Sequence, residues 1–269
     1  MDPIGISVIM PAHQEHPFLD QAIWSVLKQT HQHLELIVVV NGPQQNLADR
    51  LRASFDDPRF RVLQTAMPGT SFAMNFGIAN ARHDFIARMD SDDISVSDRL
   101  EKQLAYLLSH PEATLVTCDF ALIDEHNRIT RASSRKPTTP TRTRRLLPYR
   151  CLICSASLLC RKELLIASGG YSFGNVAEDY ELWLRLRRNP KNSFHALGDV
   201  LYHYRQHSAQ ATTASNNLTI FSIDITLKLR EALITRHPEY LAGALFSLIE
   251  LIYKLYASSK LRKLISKFS

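Results

Sequence analysis

The chain has 269 residues, 45% hydrophobic and 22% charged, which suits one large α/β domain or one domain with an appendage. Its formal charge of +6 fits an anionic ligand, nucleic acid or an anionic membrane surface, and does not choose among them. No stretch reaches the roughly 18 uncharged apolar residues of a membrane span, Met1-Asp2-Pro3 does not open like a signal peptide, and Cys118, Cys151, Cys154 and Cys160 read as reduced thiols of a cytosolic chain.

Ile4 to Met10 reads as a first buried strand, closed by Pro11 and followed by the polar turn Ala12-His13-Gln14-Glu15. Leu19, Ile23, Val26 and Leu27 recur at helical spacing within 18–29. Residues 34–40 read as a second buried strand, stopped by Asn41-Gly42-Pro43. A polar helix is expected around 47–55, a third strand over 59–65 and a helix over 70–81. The fourth strand, 84–89, runs into Asp90-Ser91-Asp92-Asp93. Three carboxylates this close repel one another, and a divalent cation with oxygen ligands offsets that best. The plain alternative is a solvated loop of helix-capping acids. Strands alternating with helices at this spacing predict βαβ units and a mostly parallel sheet. Ligands of such sheets bind at the carboxyl ends of the strands. The His13, Asn41 and Asp90 turns should therefore line one crevice.

A helix is expected over 97–109, stopped by His110-Pro111, and a strand over 113–123. Residues 131–150 hold seven basic residues, three prolines and no acid. They read as a loop, or a short helix with a loop. Either solvent or an anionic lipid or phosphorylated substrate would suit them. Residues 152–160 are expected to be extended, 162–168 a short helix, and Gly169-Gly170-Tyr171 a turn. Glu178 and Asp179 open a further helix, where acids complement the helix dipole. A last strand is expected over 200–205, then a mobile polar stretch over 206–217. From Leu218 the pattern is helical only. The stripe Leu241, Leu245, Leu248, Ile252 and Leu255 is expected to pack against the main domain. Contact with an anionic membrane is the alternative, because the tail carries Lys260, Arg262, Lys263 and Lys267.

Four separated pieces resemble the family 2 glycosyltransferases: residues 6–15 with 22–30, residues 35–42, residues 73–79 leading into Asp90-Ser91-Asp92-Asp93, and Glu178-Asp179 with Tyr204-Arg205-Gln206-His207. Together they cover about residues 4–210. The resemblance implies an α/β GT-A fold: a Rossmann-like nucleotide half with a mixed, mostly parallel sheet flanked by helices. It implies a domain over 1–215, with the donor half at about 1–110 and the acceptor half and lid at 111–215, then a helical extension over 216–269. It implies inverting, non-processive transfer of a sugar from a nucleotide-diphosphate donor to an acceptor hydroxyl. The processive Gln-x-x-Arg-Trp motif is missing. Surface-glycan biosynthesis follows, with a glycan or lipid-linked acceptor and no nucleic acid. So does a cytoplasmic place with peripheral inner-membrane contact through the basic segments.

Carried over residue by residue, Asp179 is the general base. Asp90, Asp92 and His207 are metal ligands for Mn²⁺ or Mg²⁺. Pro11, Ala12, His13, Glu15, Asn41, Asn75, Asp90, Ser91 and Arg205 contact the nucleotide. Arg205 and His207 are expected to close over the diphosphate from the mobile stretch. Asp93 is expected to support the loop. Three positions depart from the family pattern: His13 where Tyr is common, Val40-Asn41-Gly42 where Asp-Asp-Gly is common, and Met74 where Arg is frequent. A UDP-sugar is favoured as donor, and these departures loosen that choice. The competing readings are a degenerate nucleotide-sugar-binding protein and a sugar-nucleotide pyrophosphorylase. The latter is disfavoured because Ala12-His13-Gln14-Glu15 is nothing like its Gly-rich loop.

Overall fold

Period-two alternation along the first strands sets the layers. Strand β1 (Ile6–Ala12) turns Ile6, Val8, Met10 and Ala12 to one core and Ile9 to another. Strand β2 (Leu34–Asn41) splits likewise, with Leu34, Leu36, Val38 and Val40 on one side and Ile37 and Val39 on the other. A sheet apolar on both faces needs helices on both. Helices α1 (Leu19–Leu27), α2 (Gln45–Ser54) and α4 (Arg99–Ser109) cover the first face. Helix α3 (Thr70–Asn80) covers the second, with α6 (Lys162–Ala167) and α7 (Glu178–Arg187). The computed structural model describes residues 4–43, 45–132, 138–172, 176–207 and 217–265.

The remaining strands are β3 (Phe60–Thr65), β4 (Phe85–Arg88), β5 (Ile94–Ser95), β6 (Leu115–Ile123), β7 (Ile129–Arg131), β8 (Leu159–Arg161) and β9 (Phe194–Arg205). The sheet order is β3-β2-β1-β4-β8-β6-β9-β5, with β7 beside β6. β1 to β4 are parallel, and β8 runs antiparallel to both β4 and β6. β2 and β3 lie on one side of β1 and β4 on the other. Sheets of this kind bind ligands where the strand order reverses, here the carboxyl ends of β1 and β4. The expected α/β sheet is present, and the carboxyl ends of β1, β2 and β4 bring the His13, Asn41 and Asp90 turns to one end of it.

Several boundaries differ from expectation. β1 continues through Pro11, which pairs with Val39. β4 pairs with β1 only as far as Ile9, so Pro11 lacks a neighbour on that side and its missing N–H costs nothing there. Residues 152–160 are mostly irregular, with a 3-10 turn at Ser155–Ser157. The Ser157 hydroxyl donates to Cys154 O at 3.0 Å and accepts from Cys118 N at 3.1 Å, replacing ladder bonds locally. β9 begins at Phe194, six residues earlier than expected, because it runs through Gly198-Asp199 with register shifts against β6. In the basic segment, Thr139 caps α5 (Pro140–Leu146) by accepting from Arg142 N. Arg135 and Lys136 lie outside the described residues, as does most of the stretch expected to be mobile.

Helices α8 (Asn217–Thr235) and α9 (Pro238–Ile265) form an antiparallel hairpin, in which Lys228 meets Ser247 and Lys254 meets Phe221. Ion pairs fasten it to α7. Arg188 donates twice to Glu231 at 2.7 and 2.8 Å, Arg230 reaches Glu181 at 2.6 Å, and Arg187 reaches Glu239 at 2.7 Å. α9 docks through Tyr240, Gly243, Ala244 and Ser247. A Cβ on Gly243 would stand 2.0 Å from Pro148 O, so this close approach requires glycine. The stripe expected to pack against the domain faces outward instead. Leu241, Leu245, Leu248, Ile252 and Leu255 are all exposed. Helical spacing identifies a stripe, but small residues chose the packed face.

Candidate active site

The acid loop leaves β4 beside the end of β1. Met89 N donates to Ile9 O at 3.0 Å, which fixes the loop's start. Alternation then sends Phe85, Ala87 and Met89 to one core and Ile86 to the other. Arg88 follows the parity of Ile86, toward the face that α7 covers. There it is 6% exposed. Its guanidinium donates to Asp90 Oδ1 at 2.9 Å, Glu178 Oε1 at 3.1 Å and Ser155 Oγ at 3.2 Å. One buried cation therefore ties the acid loop to the first residue of α7.

Asp92 and His207 meet at this end of the sheet, with Nε2 3.0 Å from Oδ2. Their side chains are 24% and 9% exposed for Asp92 and His207 respectively. The Phe18 ring lies 5.1 Å from the His207 ring. Asp93 is buried instead. Its Oδ1 accepts from Arg205 N at 2.7 Å. Burial, then the charges of Asp92 and Asp90, push its carboxyl well above the usual carboxylate range. It supports the loop, as expected. Burial also raises the Glu178 carboxyl, against the opposing pull of Arg88.

Asp179 lies beside this cluster, close enough to act electrostatically on both Arg88 and Glu178. Its Oδ1 accepts from Tyr180 N at 2.7 Å. The residue before the pair, Ala177, adopts a left-handed conformation with φ 58°. That is uncommon for alanine and costs about 1 kcal/mol or more. It turns the chain sharply into α7 and sets the direction in which the two acids enter.

The structure corrects the expectation for Arg205. It is not on the mobile stretch but at the end of β9, and it is fully buried. Its guanidinium donates to Asp92 O at 2.8 Å, Asp124 O at 2.9 Å and Gln21 Oε1 at 2.9 Å, and lies 4.3 Å from the Phe18 ring centre. Three acceptors on three segments hold it as a brace for the acid loop.

The residues expected to contact the nucleotide divide into exposed and committed groups. His13 is exposed, and its Nδ1–H donates to Asn41 O at 3.0 Å. Asn41 is 2% exposed; with its amide oriented to satisfy both ends, it donates to Ala12 O at 3.2 Å and accepts from Gly69 N at 2.9 Å. It bridges two strand ends and the start of α3. Pro11 and Ala12 form the last two residues of β1, and Glu15 pairs with Arg50 at 3.1 Å. Asn75 donates to Tyr171 O at 2.7 Å and accepts from Tyr171 N at 2.9 Å, so its amide pins that turn. Ser91 meets His16, with Oγ and Nε2 3.1 Å apart. Phe18 N donates to His16 Nδ1, leaving the Nε2 proton for Ser91. Burial depresses the His16 pKa, which favours this neutral ring.

His16, Phe18, Arg88 and Glu178 were not assigned roles in the site from sequence. Arg88 carried a signal: a lone cation inside a buried strand needs buried partners. His16 lies just beyond the polar turn and Phe18 caps the start of α1, positions at which helical spacing assigns no role in a site. A depression of about 480 Å³ lies at the opposite, amino ends of the strands, lined by His33, Glu35, Arg59 and His83 among others. It contains none of the expected site residues.

Residues 7–168 match the model of glycosyl transferase family 2. The chain belongs to that family. It is 32% identical over 206 residues to the O-antigen biosynthesis glycosyltransferase WbnJ of Escherichia coli, covering 76% of this chain and 80% of that protein. It is 28% identical over 218 residues to the E. coli UDP-Glc:alpha-D-GlcNAc-diphosphoundecaprenol beta-1,3-glucosyltransferase WfgD, covering 80% and 82% of the respective chains. The fold resembles S. aureus TarS 1-349 in complex with UDP-GlcNAc, with TM-score 0.67, 16% identity, and coverage of 86% of this chain and 67% of that one. The protein is thus a glycosyltransferase with a GT-A-like fold. Among the described residues, no three His, Cys, Asp or Glu side chains converge as a ready-made metal site. The Asp92–His207 pair nevertheless fits a divalent cation as donor set, a hard carboxylate oxygen beside an imidazole nitrogen.

Proposed function

We propose that this glycosyltransferase moves a hexose from a UDP-sugar to a hydroxyl of a lipid-linked glycan, with inversion, in bacterial surface-polysaccharide synthesis. The names of WbnJ and WfgD and the UDP-GlcNAc held by TarS support that choice of donor and acceptor. The observation that carries the reaction is the Arg88 bridge, which joins the strand-end acids to the helix bearing Asp179.

The donor's diphosphate lies at the carboxyl ends of β1 and β4. Asp92 and His207, with Asp90 alongside, would hold Mn²⁺ or Mg²⁺, which when bound offsets the charge growing on the leaving diphosphate. Asp179 takes the proton from the acceptor hydroxyl as its oxygen attacks the anomeric carbon from the face opposite the diphosphate. The new C–O bond forms as the C–O bond to phosphate breaks. A single displacement needs no protein nucleophile. Arg205 keeps Asp92 in place from behind, and Glu178 keeps its neighbour's helix on Arg88. Basic residues of 131–150 and the tail bring the enzyme to the inner face of the cytoplasmic membrane, where such acceptors reside.

Asp179→Asn tests this reading. Transfer from UDP-sugar should fall by about a thousandfold while UDP binding is retained. Transfer at the wild-type rate in that variant would remove Asp179 as the base.

A further inference from the structure

The outer face of α9 is apolar and exposed. Leu245, Ile249 and Ile252 are more than half exposed, Tyr253 is 71% exposed and Tyr256 64%. Leu233, near the end of α8, is also exposed, at 82%. Contiguous apolar surface of this kind marks an interaction site. Glu250 and Lys254 lie on the side toward α8, where Lys254 meets Phe221, and pair with each other at 3.1 Å, so they do not interrupt this face.

The charge around the patch selects its occupant. The Arg150 guanidinium lies 6.0 Å from the Phe246 ring centre, at the edge of the patch. Arg142 and Arg145 are exposed on α5, just before the Pro148 turn that seats α9. The sequence has no acid between Glu125 and Glu163. A second copy meeting this face about a two-fold axis would set those cations against themselves. An anionic bilayer receives both features together: apolar side chains enter the acyl boundary and cations meet headgroups. Tyrosines suit the headgroup level between them. Among the described residues no helix is long and apolar enough to cross a membrane, so the helix lies on it.

We infer that the α8–α9 hairpin is a foot that seats the protein on an anionic lipid bilayer, with the outer face of α9 entering the headgroup–acyl boundary. This goes beyond attraction by basic segments, since it assigns the anchoring to a defined apolar face. The foot is also tied to chemistry. The Arg188–Glu231 and Arg230–Glu181 pairs fasten α8 to the helix that begins with Glu178 and Asp179. Successive helix layers are about 8–10 Å apart, so seating α9 fixes the height of the Asp179 helix above the lipid.

Sedimentation of the full chain with phosphatidylglycerol–phosphatidylcholine vesicles and with pure phosphatidylcholine vesicles tests this. The anionic vesicles should bind it more strongly, and part of that binding should survive salt that screens surface charge. Leu245→Glu combined with Ile252→Glu should weaken the binding about tenfold. The thermal midpoint should stay put, because both side chains are exposed. Binding unchanged in the double variant, or binding lost entirely in salt, would overturn the foot. So would absence of vesicle binding, whether or not the double variant dissolves a dimer; a dissolved dimer would assign the face to a second copy. The vesicles hold neither donor nor acceptor, so this outcome is independent of the transfer reaction.

Discussion

Arg88→Met removes the one cation that Asp90 and Glu178 share. The Glu178 side chain is 9% exposed and that of Asp90 29%, so water replaces the lost partner poorly for the first and better for the second. Breaking a buried ion pair from one side costs about 3–5 kcal/mol. Glu178 escapes part of that by taking up a proton, since burial already raises its pKa. The lower end, about 3 kcal/mol, is therefore expected, and for a chain of this size it lowers the melting temperature by roughly 6–12 °C. The pH dependence has a definite sign. Loss of Arg88 raises the folded-state pKa of Glu178 further, and a raised carboxyl pKa removes stability as pH rises through the window above the unfolded value. The variant's deficit should thus be larger at pH 7 than at pH 5. Adding Glu178→Gln should return part of the loss, which a double-mutant cycle reads as coupling. Thermal unfolding followed by circular dichroism at both pH values measures all of this. A drop below about 2 °C, with no recovery on adding Glu178→Gln, would refute the bridge.

Metal dependence should reside in two side chains. Asp92→Asn and His207→Ala should each raise the Mn²⁺ concentration needed for UDP to raise the melting temperature, about tenfold or more, and excess chelator should abolish the shift in the wild type. A UDP shift that persists unchanged in chelator would count against the assignment. Glu35 governs the opposite end of the sheet. Burial pushes its carboxyl up, but hydrogen bonds from Arg82 N, Ser7 Oγ and Arg61 outweigh that and leave it below its usual range. Its stabilisation should be complete above about pH 4.5 and fade as pH falls through the lowered value. Glu35→Gln should flatten acid unfolding in that window, and an unaltered acid profile would exclude the role. Gly77→Ala should cost about 1–3 kcal/mol by chemical denaturation, since the new Cβ would stand 2.4 Å from Ile9 Cγ2. A neutral result would mean that α3 slides on β1.

The legibility of this fold tracks how far residues obey a period. β1, β2 and β4 are buried on both faces, and their largely apolar runs were readable to within about two residues. β9 was half read because Gly198-Asp199 interrupts it, and β5 and β7, two and three residues long, carry too little pattern to detect. The α9 stripe misled for a physical reason. The helix is apolar nearly all round, so periodicity alone does not say which face is inside. The answer came from Gly243 and Ala244, small enough to let the helix approach Pro148, while the larger side chains stayed out.

At the site, residue type was legible and role often was not. Asp90, Asp92 and Asp93 are adjacent in sequence, yet three different environments separate them: a shared arginine, an imidazole, and burial. Arg205 shows the same limit from the other sign. An arginine before a His-containing stretch suits a mobile cationic lid, but its partners, Gln21 and the carbonyls of Asp92 and Asp124, come from three distant segments. Only the tertiary fold assembles them. Arg88 is the contrary case, since strand parity alone assigns it to the face that α7 covers. Its two carboxylates come from different segments, Asp90 in the loop after β4 and Glu178 beside Asp179, the proposed base. A shift of Asp90 toward a cation or a diphosphate would weaken its hold on Arg88 and change the counter-charge left for Glu178. Donor binding at Asp90 and the proposed base Asp179 would then be electrostatically linked through a single buried side chain.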